Sequence, residues 1–418
     1  MDIIVIRTLV CGVMVLNCPI LLIDANSFFA SCHIALNPEL ADIPVVVGGD
    51  EKKRHGICLA ANYIAKREYG IKTGMAVREA REKLGNEGVI VSPQHSLYVD
   101  FSARILRIKR RYSPLVEPFS IDESWVDLTG TERLHKTDSS EEIASRLQKN
   151  ILEETGIPTS VGIGPNKIIS KMAAEIKKPL GITKVNFQDV PRVFWPLPVK
   201  ELFGVGHRME KNLWLLNIHS IGDLANYPAG ILKKRFGLIG LILKNSANGV
   251  DYSPVNPANL EVVKSAGHQI TLPKDLAGHE NIQVIIHELS EIVGRRVRIG
   301  GYAGKTVGLT LKDTEFQCLH WTQSMPYFSD LSEDIYGTAV VLLQRHWPYW
   351  KPVRMVGLTL SHLIKNSEEQ LDLFGVTEKR RKITRALDKI KDRHGETAIF
   401  KATSLTGVSV MFQNRWGC

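Results

Sequence analysis

The stretch Ile23-Asp24-Ala25-Asn26-Ser27-Phe28-Phe29-Ala30 follows the apolar residues 20–22 and sets the fold of the N-terminal part of the chain. The apolar run predicts a buried strand that ends at Asp24. Residues 27–35 predict a short helix, which Asn37-Pro38 stops because the residue before a proline disfavours helical geometry. The exit of the strand therefore carries a carboxylate, and two phenylalanine rings follow it.

A second acidic stretch, Ser120-Ile121-Asp122-Glu123-Ser124, precedes the apolar sequence Trp125-Val126-Asp127-Leu128. We expect a pair of strands around Asp122, and acids at strand ends favour a hard-cation site that faces a phosphate-bearing substrate. Neighbouring residues of a strand face opposite sides of a sheet. Asp122 and Glu123 can therefore share one site only if the strand turns or twists there, or if two ions spread apart. The alternative interpretation is a pair of unrelated, solvent-facing acids.

A lysine pair ends a predicted helix over residues 167–177, in the sequence Lys177-Lys178-Pro179-Leu180-Gly181. The segment before this helix, Gly162-Ile163-Gly164-Pro165-Asn166-Lys167, imitates a phosphate-binding loop. It lacks the G-x-x-x-x-G-K-[ST] spacing, so we interpret it as a turn from a strand into a basic helix.

Composition is that of an ordinary globular protein, with 418 residues, 44% hydrophobic and 23% charged, and the length allows three or four domains. The net charge of +9 favours a polyanionic partner, although a merely basic enzyme is equally compatible with it.

No pair among the six cysteines has the C-x-x-C spacing, which indicates neither a zinc site nor a disulfide framework and favours a reducing cytoplasm. The apolar run 9–16 is too short to span a membrane, and Met14 is an alternative start.

Strands and helices alternate over the first 190 residues, which predicts a mixed α/β or α+β layer. Residues 195–250 are helical and rich in Leu and Lys, and residues 251–259 have the Pro and Asn content of a linker. From Lys264 the pattern predicts a further α+β domain of about 100 residues, with strands at 268–272, 306–312 and 354–360 and helices around 282–293 and 333–345.

Three further segments favour binding to macromolecules. Gly204, Val205 and Gly206 lie between two helical stretches, where backbone amides can hold a DNA phosphate. Arg295-Arg296-Val297-Arg298 adds positive charge, and Glu369-Gln370-Leu371-Asp372-Leu373-Phe374-Gly375 offers apolar side chains to a pocket of a partner. The alternatives are an ordinary turn between helices, a solvated helix end and a small local core contact.

Five motifs occur together and in order: Asp-x-x-x-Phe-Phe-Ala-Ser at 24–31, Ala-Asn-Tyr at 61–63, Ser-Ile-Asp-Glu at 120–123, Lys-Pro-x-Gly at 178–181 and Lys-Ser-x-Gly at 264–267. In this combination the chain resembles the Y-family translesion DNA polymerases, most closely their UmuC-like or UV-damage-repair bacterial branch. The resemblance covers residues 18–412.

The resemblance implies an α+β multidomain fold shaped like a right hand. Residues 1–17 are then an N-terminal extension, and a non-native start is the alternative interpretation of this stretch. The expected parts are a palm at 18–192 with small fingers inserted at 36–95, a helical thumb with a helix-hairpin-helix at 193–250, a linker at 251–263, a little finger at 264–365, and a clamp-binding peptide with a C-terminal helix or strand at 366–418.

The resemblance also implies the roles of single residues. Asp24, Asp122 and Glu123, with the carbonyl of Ala25, bind two Mg²⁺ ions; one ion lowers the pKa of the primer 3′-hydroxyl and the other holds the incoming triphosphate. The remaining implied site residues are Phe28, Phe29 as the steric gate against ribose, Tyr63, Lys66 or Arg67, and Lys178 for the nucleotide; Gly204, Val205, Gly206, Arg295, Arg296 and Arg298 for DNA; and Gln370, Leu371, Leu373 and Phe374 for a sliding clamp.

The function implied is DNA-templated DNA synthesis past damaged bases at low fidelity, within the DNA-damage or SOS response. Its partners are primer–template DNA, dNTP and the sliding clamp, with no membrane. We expect a cytoplasmic monomer that can take accessory subunits. Two alternatives stay open: an inactive DNA- and clamp-binding scaffold, and a nucleotide cyclase, whose GGDEF signature is imitated by Val47-Gly48-Gly49-Asp50-Glu51.

Overall fold

The structure is a computed structural model, and it describes residues 19–49, 56–135, 139–259, 263–365, 376–396 and 398–410. The chain divides into two compact units, Met1–Glu261 and Val262–Cys418. This division falls inside the predicted linker. The extension 1–17 and the predicted clamp-binding residues 370–374 lie outside the described residues.

The first unit mixes strands and helices, as the sequence predicts. Its strands are β1 (Ile20–Ala25), β2 (Val45–Gly48), β3 (Cys58–Ala61), β4 (Val89–Val91), β5 (Val116–Pro118), β6 (Glu123–Asp127), β7 (Thr159–Gly164) and β8 (Ile182–Lys184). Its helices are α1 (Phe28–Leu36), α2 (Tyr63–Glu68), α3 (Val77–Leu84), α4 (His95–Arg110), α5 (Glu132–His135), α6 (Ser140–Thr155), α7 (Lys167–Ile176), α8 (Val190–Val193), α9 (His207–Trp214), α10 (Ile221–Asn226), α11 (Ala229–Phe236) and α12 (Leu238–Ala247).

A five-stranded sheet with the order β5-β6-β1-β7-β8 forms the centre of this unit. Strand β1 is antiparallel to both β6 and β7, and its alternate residues face opposite sides. Leu21 and Ile23 pack in the large core with α4 and α6. Leu22 faces the other side, which α7 covers. Asp24 shares this second face because it lies two residues after Leu22.

Helix α7 approaches β7 closely because Gly162 has no side chain. A Cβ at Gly162 would lie 2.0 Å from the carbonyl oxygen of Ser170, well inside contact distance. Asn166 caps the N-terminus of α7, because its side chain accepts a hydrogen bond from the amide of Ile169 at 2.9 Å. The sequence thus brings a basic helix directly onto the sheet that carries Asp24.

A smaller sheet, with the order β3-β2-β4, lies within the range predicted for the fingers. Helices α2 and α3 contribute Ala65, Val77 and Leu84 to its core. Helices α9 to α12 form a separate helical core, which matches the helical region expected at 195–250. Val47 and Gly48 of the cyclase-like run end strand β2, and Asp50 and Glu51 lie outside the described residues.

The second unit contains β9 (Ser265–Leu276), α13 (His279–Ile299), β10 (Tyr302–Lys312), β11 (Cys318–Ser329), α14 (Ser332–His346), β12 (Val353–Lys365) and α15 (Val376–His394). Its sheet has the order β11-β10-β12-β9 and is antiparallel throughout. Helices α13 and α14 bury their apolar stripes against one face. The predicted α+β fold class is therefore confirmed.

Candidate active site

Two carboxylates lie side by side on adjacent strands of the central sheet. In the β1–β6 register, Asp24 lies directly opposite Glu123, so both side chains leave the same face. Asp122 lies in the bend that precedes β6, and its carbonyl accepts the amide hydrogen of Ala25 at 3.0 Å. The strand therefore begins only after Asp122. The chain therefore bends at Asp122, as the sequence analysis requires of a strand whose two acids share a site, and the side chain of Asp122 accepts a hydrogen bond from Oγ of Ser120.

Two lysines neutralise these acids. The Nζ of Lys178 lies 2.8 Å from Oδ2 of Asp24 and 2.9 Å from Oε1 of Glu175. Lys171 of α7 forms an ion pair with Glu123, and its Nζ lies 3.5 Å from Glu175. The end of β1 is thus a mixed cluster of acids and lysines.

Burial is the largest influence on the pKa of both acids, Asp24 and Glu123. It raises the pKa of Asp24, although the Lys178 ammonium opposes the shift. Burial likewise raises the pKa of Glu123, where Lys171 opposes the shift and the charges on Asp24 and Asp122 add to it. The net direction for both carboxyl groups is a raised pKa, because burial outweighs the charges of the two lysines.

The donor set suits a divalent cation. Asp24, Asp122, Glu123 and the carbonyl of Ala25 offer oxygen atoms, the ligands that hard cations take. Among the residues that the structure describes, no group of three or more His, Cys, Asp or Glu side chains is arranged to hold a metal ion as it stands. Asp24 and Glu123 are each paired with a lysine, and Asp122 accepts a hydrogen bond from Ser120.

The position of Lys178 depends on Asn26, a residue that the sequence did not single out for function. Asn26 is 2% exposed, and its Oδ1 accepts the amide hydrogen of Leu180 at 2.9 Å. Its Nδ2 donates to Oγ of Ser160 at 2.9 Å. A side chain at Gly181 would lie 1.9 Å from the carbonyl oxygen of Lys177. Asn26 and Gly181 therefore fix the loop that presents Lys178 to Asp24.

The two phenylalanines play different parts. Phe28 is 3% exposed and belongs to the main core. Phe29 is half-buried and stacks on Tyr98, with ring centroids 4.0 Å apart and planes inclined by 9°. Both residues open helix α1, so their amides lie at its N-terminus, where anions bind favourably. Tyr98 had no role in the sequence-based prediction.

A third cation faces the start of α1. The Nζ of Lys66 donates to Oγ of Ser27 at 2.8 Å, and burial followed by the charge of Lys178 lowers the pKa of Lys66. Arg67 is exposed. Both cations lie over the ring of Tyr63, at 4.9 Å for Lys66 and 5.4 Å for Arg67. Of the two candidates left open by the sequence, Lys66 is the one that faces Ser27 and Lys178.

The glycine-rich turn lies at the start of a helix. Gly206 is the residue before α9, and Gly204 has a φ of +94°, which a glycine adopts without strain. Val205 is 8% exposed and packs in the helical core. The turn therefore places backbone amides at the N-terminus of α9, and its role as a helix-hairpin-helix stays a prediction.

The arginine run forms ion pairs with acids near the end of the chain. Arg295 bonds to Asp392 at 2.7 Å and to Glu396 at 2.9 Å, and Arg298 bonds to Asp388 at 2.7 Å. These bonds join α13 to α15 and the residues that follow it. Arg295 and Arg298 therefore take part in ion pairs within the second unit, and their contact with DNA stays a prediction. The side chain of Arg296 remains exposed, and it donates to the carbonyl of Gly267 at 2.6 Å.

Comparison with known proteins gives one consistent result. The sequence profile of the impB/mucB/samB family matches residues 23–175, and that of the C-terminal domain of the same family matches residues 263–373. The chain is 54% identical over 396 residues to DNA polymerase IV of Moorella thermoacetica, with 95% of this chain and 98% of the relative covered. It is 39% identical over 404 residues to DNA polymerase IV 2 of Bacillus subtilis, with 94% and 96% covered.

A solved structure shares the fold. The Y-family DNA polymerase chimera Dbh-Dpo4(243-245)-Dbh matches with a TM-score of 0.73 and 25% identity, over 83% of this chain and all of that chain. Within the described ranges, no helix is both long and apolar enough to cross a membrane. The chain belongs to the impB/mucB/samB family, within the Y-family of translesion polymerases, and is a DNA-directed DNA polymerase.

Proposed function

We propose that this polymerase extends a DNA primer past damaged bases at low fidelity, with two Mg²⁺ ions held by Asp24, Asp122, Glu123 and the carbonyl of Ala25. Divalent-metal dependence is general in the family. The observation that carries the assignment is the register of β1 and β6, which opposes Asp24 to Glu123, together with the bend at Asp122. When bound, the ions activate the primer hydroxyl and neutralise the triphosphate.

The protein's own groups position the incoming dNTP. Lys178 and Lys66 bind its triphosphate, and Lys178 exchanges its ion pair with Asp24 for a phosphate oxygen. The amides of Phe28 and Phe29, at the N-terminus of α1, receive a further phosphate oxygen. Tyr63 lies against Lys66 and lines the same pocket. The primer 3′-oxygen then attacks the α-phosphorus in line, and pyrophosphate leaves.

Phe29 selects the sugar of the nucleotide. Its ring is held on one face by Tyr98, and the proposal places the ribose 2′-position against the ring. A hydroxyl at that position would clash with the ring. The variant Phe29→Ala should therefore admit ribonucleotides, and an unaltered preference for dNTP would reject this role.

The duplex and the clamp are bound outside this pocket. Gly204, Val205 and Gly206 hold the primer-duplex backbone through their amides. Gln370, Leu371, Leu373 and Phe374 bind the sliding clamp, so alanine at Leu373 and Phe374 should remove stimulation by the clamp and leave clamp-free synthesis unchanged. Loss of clamp-free synthesis would point to a structural role. The proposed compartment is the cytoplasm, and the proposed state is a monomer that accessory subunits can join.

The metal assignment is tested with the double variant Asp122→Ala, Glu123→Ala in a primer-extension assay with Mg²⁺. We expect extension to be abolished while DNA binding stays measurable. Glu153→Ala is the control, because Glu153 is an exposed acid of α6 that is paired only with Lys149 in the described part of the chain. Unchanged extension by the double variant would refute the metal assignment.

A further inference from the structure

A buried chain of side chains supports Phe29 from behind. Tyr98 of α4 is fully buried, and its ring lies parallel to that of Phe29. The hydroxyl of Tyr98 accepts the amide hydrogen of Gln94 at 3.1 Å and lies 2.9 Å from Nε2 of His33. His33 belongs to α1, the same helix that carries Phe29, and it is 4% exposed.

The hydrogen bond from Gln94 leaves the proton of Tyr98 available to His33. The amide of Gln94 can only donate, so the hydroxyl of Tyr98 accepts there and keeps its own proton for a second partner. Donation of that proton to Nε2 of His33 requires a neutral imidazole in which Nε2 is unprotonated. Burial lowers the pKa of His33, which agrees with this neutral form.

A satisfied core histidine is the ordinary explanation of such a residue. Two observations favour a role in the reaction. First, the hydroxyl is held from two directions, by α1 through His33 and by the start of α4 through Gln94, so the Tyr98 ring has one orientation. Second, this ring is the face against which Phe29 stacks, while His95 contacts both rings edge-on.

We infer that His33 is a positioning residue for sugar selection: through the hydroxyl of Tyr98 it holds the ring of Phe29 at the place where a ribose 2′-hydroxyl would lie. This inference rests on the proposed gate role of Phe29. A gate excludes a single oxygen atom, so small rotations of its ring decide how well ribonucleotides are rejected. Loss of the His33 bond frees Tyr98 to rotate, and Phe29 follows.

The test compares kcat/KM for one dNTP and the matching rNTP in single-nucleotide insertion. We expect His33→Leu and Tyr98→Phe each to lower the dNTP preference at least about fivefold, mainly by raising kcat/KM for the rNTP. His33→Gln supplies an acceptor again and should restore the preference to within about twofold. The double variant His33→Leu, Tyr98→Phe should lose no more than either single variant, because both remove the same bond.

Tyr112→Phe is the matched control, since Tyr112 is a buried tyrosine whose hydroxyl accepts a hydrogen bond from Asn150 at 2.7 Å, away from Phe29. Its sugar preference should equal that of the wild type. If Phe29→Ala admits rNTP while His33→Leu and Tyr98→Phe keep full preference, the role of His33 is overturned and the gate survives. If Phe29→Ala itself rejects rNTP, the gate fails and the role of His33 with it. Should His33→Leu not fold, Tyr98→Phe, which removes one oxygen atom, decides the matter.

Discussion

Lys109 is a buried cation beneath the acidic cluster. It is 3% exposed, and its Nζ donates to the carbonyl of Ile23 at 3.3 Å and to Oγ of Ser124 at 2.7 Å. Ile23 and Ser124 face each other one step along from Asp24 and Glu123. Lys109 therefore reaches the ends of β1 and β6 from the face opposite the carboxylates. Burial lowers the pKa of Lys109 to about 8, although the nearby carboxylates oppose the shift.

This shift predicts a dependence of stability on pH. The folded state releases the Lys109 proton near pH 8, whereas an ordinary lysine keeps it to about pH 10.5. Between these values the unfolded chain binds more protons, so the contribution of Lys109 to the free energy of unfolding rises with pH. Below pH 8 burial of the ammonium costs on the order of 3 kcal/mol.

Urea unfolding of Lys109→Met from pH 7 to pH 10 measures this effect. The variant should gain stability relative to the wild type at pH 7, and the gain should shrink as the pH rises through 8. Lys149→Met, at an exposed position of α6, should show no such trend. A difference between Lys109→Met and the wild type that is constant over this range would contradict the lowered pKa.

Sequence patterns identify residues whose chemistry is local and miss residues that act through distant partners. The acids could be predicted because each ends or precedes an apolar run. Asn26 could not, because its partner Leu180 is 154 residues away in the chain. His33 and Tyr98 are 65 residues apart, and neither one differs from an ordinary core residue when its sequence position is considered alone.

The contact between β7 and α7 sets the position of Lys171, and through the loop after α7 that of Lys178. Ala at Gly162 would place a Cβ 2.0 Å from the carbonyl oxygen of Ser170, which is backbone and cannot move aside cheaply. We expect Gly162→Ala to lower the free energy of unfolding by about 1–3 kcal/mol and to reduce the rate of nucleotide insertion.

Thermal unfolding and steady-state kinetics check this expectation. Gly230→Ala is the control, because Gly230 lies in α11 with no heavy atom within 4 Å of an added Cβ. That change should stabilise the protein by about 0.5–1 kcal/mol, as alanine favours a helix over glycine. A Gly162→Ala variant as stable as Gly230→Ala would contradict the proposed close packing.

Prediction of the elements succeeded where burial imposes a pattern, and the strands that it missed lie at sheet edges. Strands β4, β8 and β11 were not predicted, and each lies at the end of its sheet. The first two have three residues, too few for a periodic pattern. Strand β11 contains Pro326, which an edge strand tolerates because its outer amides need no partner. In a sequence, a proline inside such a run argues against a strand.

At the scale of the whole molecule, the net charge of +9 favours electrostatic attraction to the phosphate backbone of DNA. We expect the affinity for a primer–template duplex to fall at least about 100-fold between 50 and 200 mM salt, because binding releases counterions from DNA. Arg296→Ala should reduce the slope of log affinity against log salt by about 1, whereas Arg192→Ala, at an exposed residue paired with Asp189, should not change it. Fluorescence anisotropy measures both, and an affinity independent of salt would contradict the expectation.

The central claim is that Asp24, Asp122 and Glu123 act as one catalytic site. The most direct test is the single-turnover rate of insertion of one correct dNTP by Asp24→Asn, with Mg²⁺ and saturating DNA. The account predicts a rate at least about 1,000-fold below the wild type with little change in DNA affinity, since one ionised oxygen ligand is lost. A rate within tenfold of the wild type would contradict it.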